Sequence, residues 1–246
     1  MKHLRKGSGL VLGLLWLLIA DVATAGEYEI IHGKGQELCE ACRQNLEYML
    51  EHPACERTYD SALGLSAPEW KPFDVLKHLG AMKQVMKFLR TGNEFAKDEY
   101  VMGEEQDELY VKRIIGDRQQ QVSMTLADID NDGRFDSVLR WAGGPCNRRL
   151  QGGSGAYYSS IVVLKKDLSG IDRAKTDLIV QNPERAVRMP GDTNYQMYSV
   201  FSFKGKTYFD RWNDTLTYGE SQRFTLTVYE AQGGQTRKRC QLKEAQ

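Results

Sequence analysis

The 246-residue sequence has only four histidines, no excess of charge of either sign and no apolar run long enough to span a membrane. Each shortage excludes something. With 33 Lys and Arg against 33 Asp and Glu, the chain lacks the basic surplus that a nucleic-acid partner or an anionic membrane surface demands. The longest apolar stretch, Leu10 to Ala20, is about half of the roughly 20 residues a spanning helix needs. Beyond residue 25 the histidines are His32, His52 and His78, without metal-ligand spacing and beside no nucleophile motif. Ser154 lies among glycines, but Ala156 breaks the G-x-S-x-G elbow of a hydrolase. No residue is therefore assigned as catalytic or cofactor-binding, and the reading leans away from an enzyme.

What is present begins with the first 25 residues. Lys2, His3, Arg5 and Lys6 precede the short apolar core, and Ala23-Thr24-Ala25 supplies small residues before Gly26, the pattern of a cleaved secretory signal. Its removal takes away three basic residues and one acidic one, leaving a formal charge of −2. The expectation is a periplasmic or secreted protein with no nucleic-acid partner and no stable membrane insertion after cleavage.

Five cysteines, at 39, 42, 55, 146 and 240, are an odd number for an exported chain and imply two disulfides and one leftover thiol. Cys39, Cys42 and Cys55 are close in sequence, so one bridge is expected among them and a long one from Cys146 to Cys240. Cys39-Glu40-Ala41-Cys42 is a C-x-x-C, but no strand precedes it and no βαβ pattern surrounds it, which favours a structural role over a redox one.

Hydrophobic periodicity divides the chain. Gly26 to Gly35 reads as an irregular lead. Leu38, Cys42, Leu46, Met49 and Leu50 then mark a helix ending before Pro53, and Ser66-Ala67-Pro68-Glu69 has capping-box spacing for a helical turn. A second helix, capped by Asp74, runs through Val75, Leu76, Leu79, Met82, Met86 and Leu89 to Thr91-Gly92-Asn93. Residues 104–108 are an acidic, solvated run. From about Gln119 the period shortens to two: Val122, Met124 and Leu126 alternate, and further strands are expected over 160–165, 177–180, 195–203, 206–212, 224–230 and 236–242. Lys204-Gly205 and Gly233-Gly234 signal hairpins. The expected fold is α+β, with a disulfide-stapled helical portion over 26–115 and a mostly antiparallel β portion over 116–246.

Between the first two strands lies Asp128-Ile129-Asp130-Asn131-Asp132-Gly133-Arg134-Phe135-Asp136. Four carboxylates around one glycine turn repel one another, by roughly 3 kcal/mol for a pair about 5 Å apart at an effective dielectric of 20. A hard cation reverses that sign. Positions 1, 3, 5 and 9 of the loop are acidic and position 6 is glycine, as calcium loops require, but position 12 is Leu139 where an EF-hand needs a bidentate acid. The loop resembles instead the D-x-D-x-D-G-x-x-D turn of FG-GAP and VCBS repeats, which lies between strands. That resemblance implies a structural calcium ion held by Asp128, Asp130, Asp132 and Asp136, with the Arg134 carbonyl as a further ligand. A single copy is too little for a propeller, whose blades each take about four strands. Cys39 to Leu46, Cys55-Glu56-Arg57, Glu69-Trp70, the Asp loop and Tyr208 to Trp212 followed by Cys240 together resemble uncharacterised exported bacterial proteins, a likeness that implies no activity.

Residues 195–229 contain ten aromatics. Tyr208, Asp210 and Trp212 share one face of their strand, and Thr225, Thr227 and Tyr229 are expected to point outward. The functional expectation is a non-enzymatic binding or interaction protein that contacts an unknown protein or glycan through an aromatic sheet face. Two alternatives stand beside it: an envelope hydrolase using carboxylates near Asp210 and Asp214, and an inhibitor of a secreted enzyme presenting the 143–155 loop.

Overall fold

A computed structural model describes residues 28–47, 57–91, 109, 120–143, 158–179, 194–215 and 223–245. Residues 1–25, read above as a signal, Cys55, Cys146, His52, the acidic run at 104–108 and residues 144–155 lie outside these.

The architecture corrects the α+β expectation. Among the described residues ten strands form two antiparallel sheets, and the helices are three short ones: α1 (Glu37–Glu47), α2 (Leu79–Thr91) and α3 (Arg173–Thr176). The strands are β1 (Tyr28–His32), β2 (Leu65–Ser66), β3 (Lys71–Pro72), β4 (Gln120–Ala127), β5 (Asp136–Gly143), β6 (Tyr158–Leu164), β7 (Asn194–Phe203), β8 (Lys206–Thr215), β9 (Arg223–Gln232) and β10 (Gln235–Glu244). The larger sheet runs β1-β10-β9-β8-β7-β2 and curls as a half-barrel; the smaller runs β3-β4-β5-β6. Among the described residues no separate helical portion precedes the β structure, because β1 and β2 close the two edges of the large sheet and β3 opens the small one.

Three apolar clusters define the layers. The first fills the concave side of the large sheet, where Leu38, Cys39, Cys42 and Leu46 of α1 meet Phe201, Tyr208, Trp212, Val228 and Leu242. The second sits between α2 and the outer face of the small sheet, and the third lies between the sheets, joining Val138, Ile161 and Val163 to Tyr198, Val200, Phe209 and Tyr229. The large sheet is therefore covered on both faces. Alternation normally separates a buried from a solvated side, but here Thr227 and Tyr229, expected outward, pack against the small sheet and are buried. Tyr208, Asp210 and Trp212 are buried on the concave side, so the aromatic face is interior and not a contact surface.

Local readings diverge in instructive places. The lead over 28–32 is a strand because Tyr28 and Ile30 bury into the concave cluster while its backbone pairs with β10. Leu65 and Ser66 pair with Phe203 and Ser202, which removes Ser66 from any helical turn. Asp74 does accept from Lys77 N, but it closes a turn, and regular helix starts at Leu79. Residues 177–179 are not a strand; they follow α3, which Asp172 caps.

The disulfide also differs from expectation: Cys240 is bridged to Cys39 and not to Cys146, and Cys42 is a free, buried thiol. The bridge ties α1 to β10 across 201 residues of sequence, a loop for which the chain-entropy model gives about 5 kcal/mol. An irregularity in the β9–β10 register between Lys238 and Cys240 turns Cys240 inward opposite Val228. Gly33, at φ +85°, lets the β1–α1 turn pass over the bridge; a Cβ there would meet Cys39 Sγ at 2.6 Å and the Arg239 carbonyl. Such a bond fits an oxidising compartment, and no described helix is long and apolar enough to cross a membrane.

Candidate metal centre

The Asp loop joins β4 to β5, whose register runs without interruption from Gln120 opposite Gly143 to Ala127 opposite Asp136. Its backbone reverses through Asn131 at φ 54° and Gly133 at φ 86°, left-handed positions that asparagine and glycine tolerate best. Asp128 holds the turn from inside. Its Oδ1 accepts from Asp132 N and its Oδ2 from Gly133 N, both at 2.9 Å. Asp136 Oδ2 accepts from Ile129 N at 3.2 Å, closing the loop from the other end.

These restraints bring carboxylate oxygens of Asp128, Asp130 and Asp136 within 4.8 Å of one another. Two oxygens on one calcium ion, each at 2.3–2.6 Å, lie at most about 5 Å apart, so the spacing fits a hard cation. The donor set is all oxygen, and a carboxylate oxygen already accepting one N–H keeps a second lone pair. The triad can thus hold a metal ion. Asp132 stands differently: its carboxylate accepts from Arg134 Nε at 3.1 Å and from the far guanidinium nitrogen at 2.6 Å, with Arg134 largely exposed. That bond, first of several causes, holds the Asp132 carboxyl below the usual range and the Arg134 guanidinium above its own.

A cationic side chain already enters the triad. Lys175 Nζ donates to Asp136 Oδ1 at 2.7 Å and to Asp130 Oδ1 at 3.1 Å, and lies 3.8 Å from Asp132 Oδ2. Its backbone is fixed by Asp172, which accepts from Lys175 N, and by the neighbouring Thr176, whose hydroxyl exchanges hydrogen bonds with Val163 on β6. Burial pulls the Lys175 ammonium down, but its bonds to Asp136 and Asp130 outweigh that and raise it. Asp136 moves up for the opposite reason, because desolvation outweighs the bonds from Lys175 and Ile129 N. Sequence reasoning missed Lys175, which is 39 residues beyond Asp136 and carries no local signal.

It also missed Asn131. The side chain of Asn131 pairs with Thr207 in both directions, accepting from its N at 2.8 Å and donating to its O at 3.0 Å, and donates again to Ala231 O at 3.1 Å. Thr207 and Ala231 belong to the large sheet, so the loop of the small sheet is bolted to its neighbour. Ile129, fully buried in the inter-sheet cluster, adds an apolar plug beside that bolt. The left-handed backbone and the polar side chain both suit asparagine, and that pairing is the signal the sequence held.

The carboxylates proposed for hydrolysis are arranged otherwise. Asp210 forms a buried ion pair with Arg57, and Tyr59 Oη lies 3.2 Å from Ser199 Oγ and 3.4 Å from Asp210 Oδ2. A cavity of about 20 Å³ beside them, room for one water, has Asp210 as its single carboxylate. Asp214 pairs through its backbone with Tyr195 and Phe224. Burial raises the Tyr59 phenol, and the Arg57 charge partly offsets that. Asp210 is thus an interior carboxylate held by the Arg57 guanidinium and within hydrogen-bond reach of Tyr59 Oη. In comparisons with protein-family models, curated proteins and solved structures, the chain matches none.

Proposed function

We propose that the protein is an exported, non-enzymatic binding or interaction protein in which the Asp128–Asp136 loop takes calcium as a structural ion. The observation that carries this reading is the triad of Asp128, Asp130 and Asp136, three oxygen donors of one loop, of which Asp128 and Asp136 are held by the loop's own backbone N–H groups. The resemblance of the loop to FG-GAP and VCBS turns supports calcium over other hard cations, and extracellular calcium reaches the weak affinity range of such sites. Asp132 and the Arg134 carbonyl complete the ligand set that the resemblance implies.

Export is supported by the basic and apolar start of the chain and by the Cys39–Cys240 bridge. The ion's place in the fold suggests its role. Asn131 and Ile129 sit inside the loop, so any cation that rigidifies it also rigidifies the junction of the two sheets. The partner is a protein or glycan, met by a surface other than the interior aromatic face.

The test is thermal unfolding of the chain lacking residues 1–25, in chelator and in millimolar calcium, with Asp130→Ala and Asp136→Ala alongside. Calcium should raise the wild-type midpoint and leave both variants unmoved. A wild-type midpoint indifferent to calcium removes the reading.

A further inference from the structure

We infer that the Lys175 ammonium is an intramolecular competitor for the cation, so that calcium enters the loop only by displacing it; the inference rests on the calcium reading above. The competitor comes from outside the loop. Lys175 belongs to α3, is anchored there through Asp172 and Thr176, and reaches Asp130 Oδ1 and Asp136 Oδ1, two of the three triad carboxylates. Its side chain is only 20% exposed, so this is a seated contact and not a surface pairing.

An ion ligated by those carboxylates at calcium distances would lie within a few ångströms of the ammonium, competing with it for the same two oxygens. Asp132 Oδ2, 3.8 Å from Lys175 Nζ and paired with the exposed Arg134, lies farther from the ammonium than the two triad oxygens that Lys175 bonds. The two cations therefore exclude each other. Departure of Lys175 leaves α3 in place, because Thr176 still holds it to β6. The loop is then latched by its own lysine when calcium is scarce and by the ion when calcium is plentiful, with the lysine head released to solvent.

Calorimetric titration of calcium into wild type and Lys175→Met, together with amine-reactive ester labelling of wild-type Lys175 followed by peptide mass spectrometry, tests this. Binding to Lys175→Met should be tighter than to wild type by about 5- to 150-fold, the usual range for coupling between two sites. By the same linkage calcium should increase labelling of Lys175. Equal or weaker binding to the variant, or labelling unchanged while wild type binds calcium, overturns the competition and leaves the calcium reading standing. Absence of binding to both proteins defeats the calcium reading and the competition with it. Should Lys175→Met not fold, the wild-type labelling decides alone.

Discussion

Asn131→Ala should separate the two sheets' energetics more cleanly than any other substitution. The side chain makes three hydrogen bonds to Thr207 and Ala231, all between 2.8 and 3.1 Å. At about 1 kcal/mol net for each, and with three backbone groups of the large sheet left without that partner, the loss is about 2–3 kcal/mol. Alanine must also adopt φ 54°, which adds about 1 kcal/mol. The total expected from urea unfolding is about 3–4 kcal/mol. Asn131→Gly removes the bonds but relieves the backbone, so it should lose about 1 kcal/mol less than alanine does, against the ordinary cost of glycine's freedom in the unfolded chain. Asn131→Asp keeps the acceptor for Thr207 N but turns a carboxylate oxygen toward two carbonyls, and should be at least as harmful as alanine. If Asn131→Ala unfolds within 0.5 kcal/mol of wild type, taking about 0.5 kcal/mol as the size of an ordinary surface change, the bolt does not exist.

Other outcomes follow from the interior. Arg57→Met or Asp210→Asn should each cost about 3–5 kcal/mol by stranding a buried partner, whereas Arg57→Met with Asp210→Leu should recover most of that, a cycle measurable in denaturant. Burial pushes the Cys42 thiol up to about 12, so iodoacetamide at pH 8 should spare Cys42 in the native protein and label it in urea, as peptide mapping would show. The native state holds that proton more tightly than the unfolded chain, so the Cys42 contribution to stability is full below the thiol's ordinary value and is lost as pH rises toward 12. Peptide mapping under non-reducing conditions should recover Cys39 linked to Cys240, and replacing Cys240 by Ser should lower stability by about 2–5 kcal/mol.

Local signals in the chain were readable where one face of a strand or one tight turn decided the structure. Lys204-Gly205 and Gly233-Gly234 each join paired strands through two residues at positive φ, as their composition suggested. The β4–β5 hairpin around the Asp loop likewise follows from alternation in Val122, Met124 and Leu126, although Leu126 itself remains exposed. What was illegible depends on distant partners. Tyr28 and Ile30 make a strand because β10, two hundred residues on, supplies both the hydrogen bonds and the core. Two-residue strands at 65–66 and 71–72 have no period to read. The inward and outward sides of β9 could not be told apart once both faces were covered. The expected Cys146–Cys240 bridge failed for the same reason, since spacing suggests which cysteines are near in sequence and not which helix folds against which strand. At the candidate site the carboxylates lay in one motif, but the lysine that meets them arrives from another element.

The central claim, that the loop between β4 and β5 holds calcium, is tested most directly by an anomalous difference map from a crystal grown in calcium. A peak within 2.3–2.6 Å of carboxylate oxygens of Asp128, Asp130 and Asp136 is the predicted result, with the Lys175 head moved away from Asp130 and Asp136. A loop without a peak, its Lys175 still bonded to both carboxylates at saturating calcium, would contradict it.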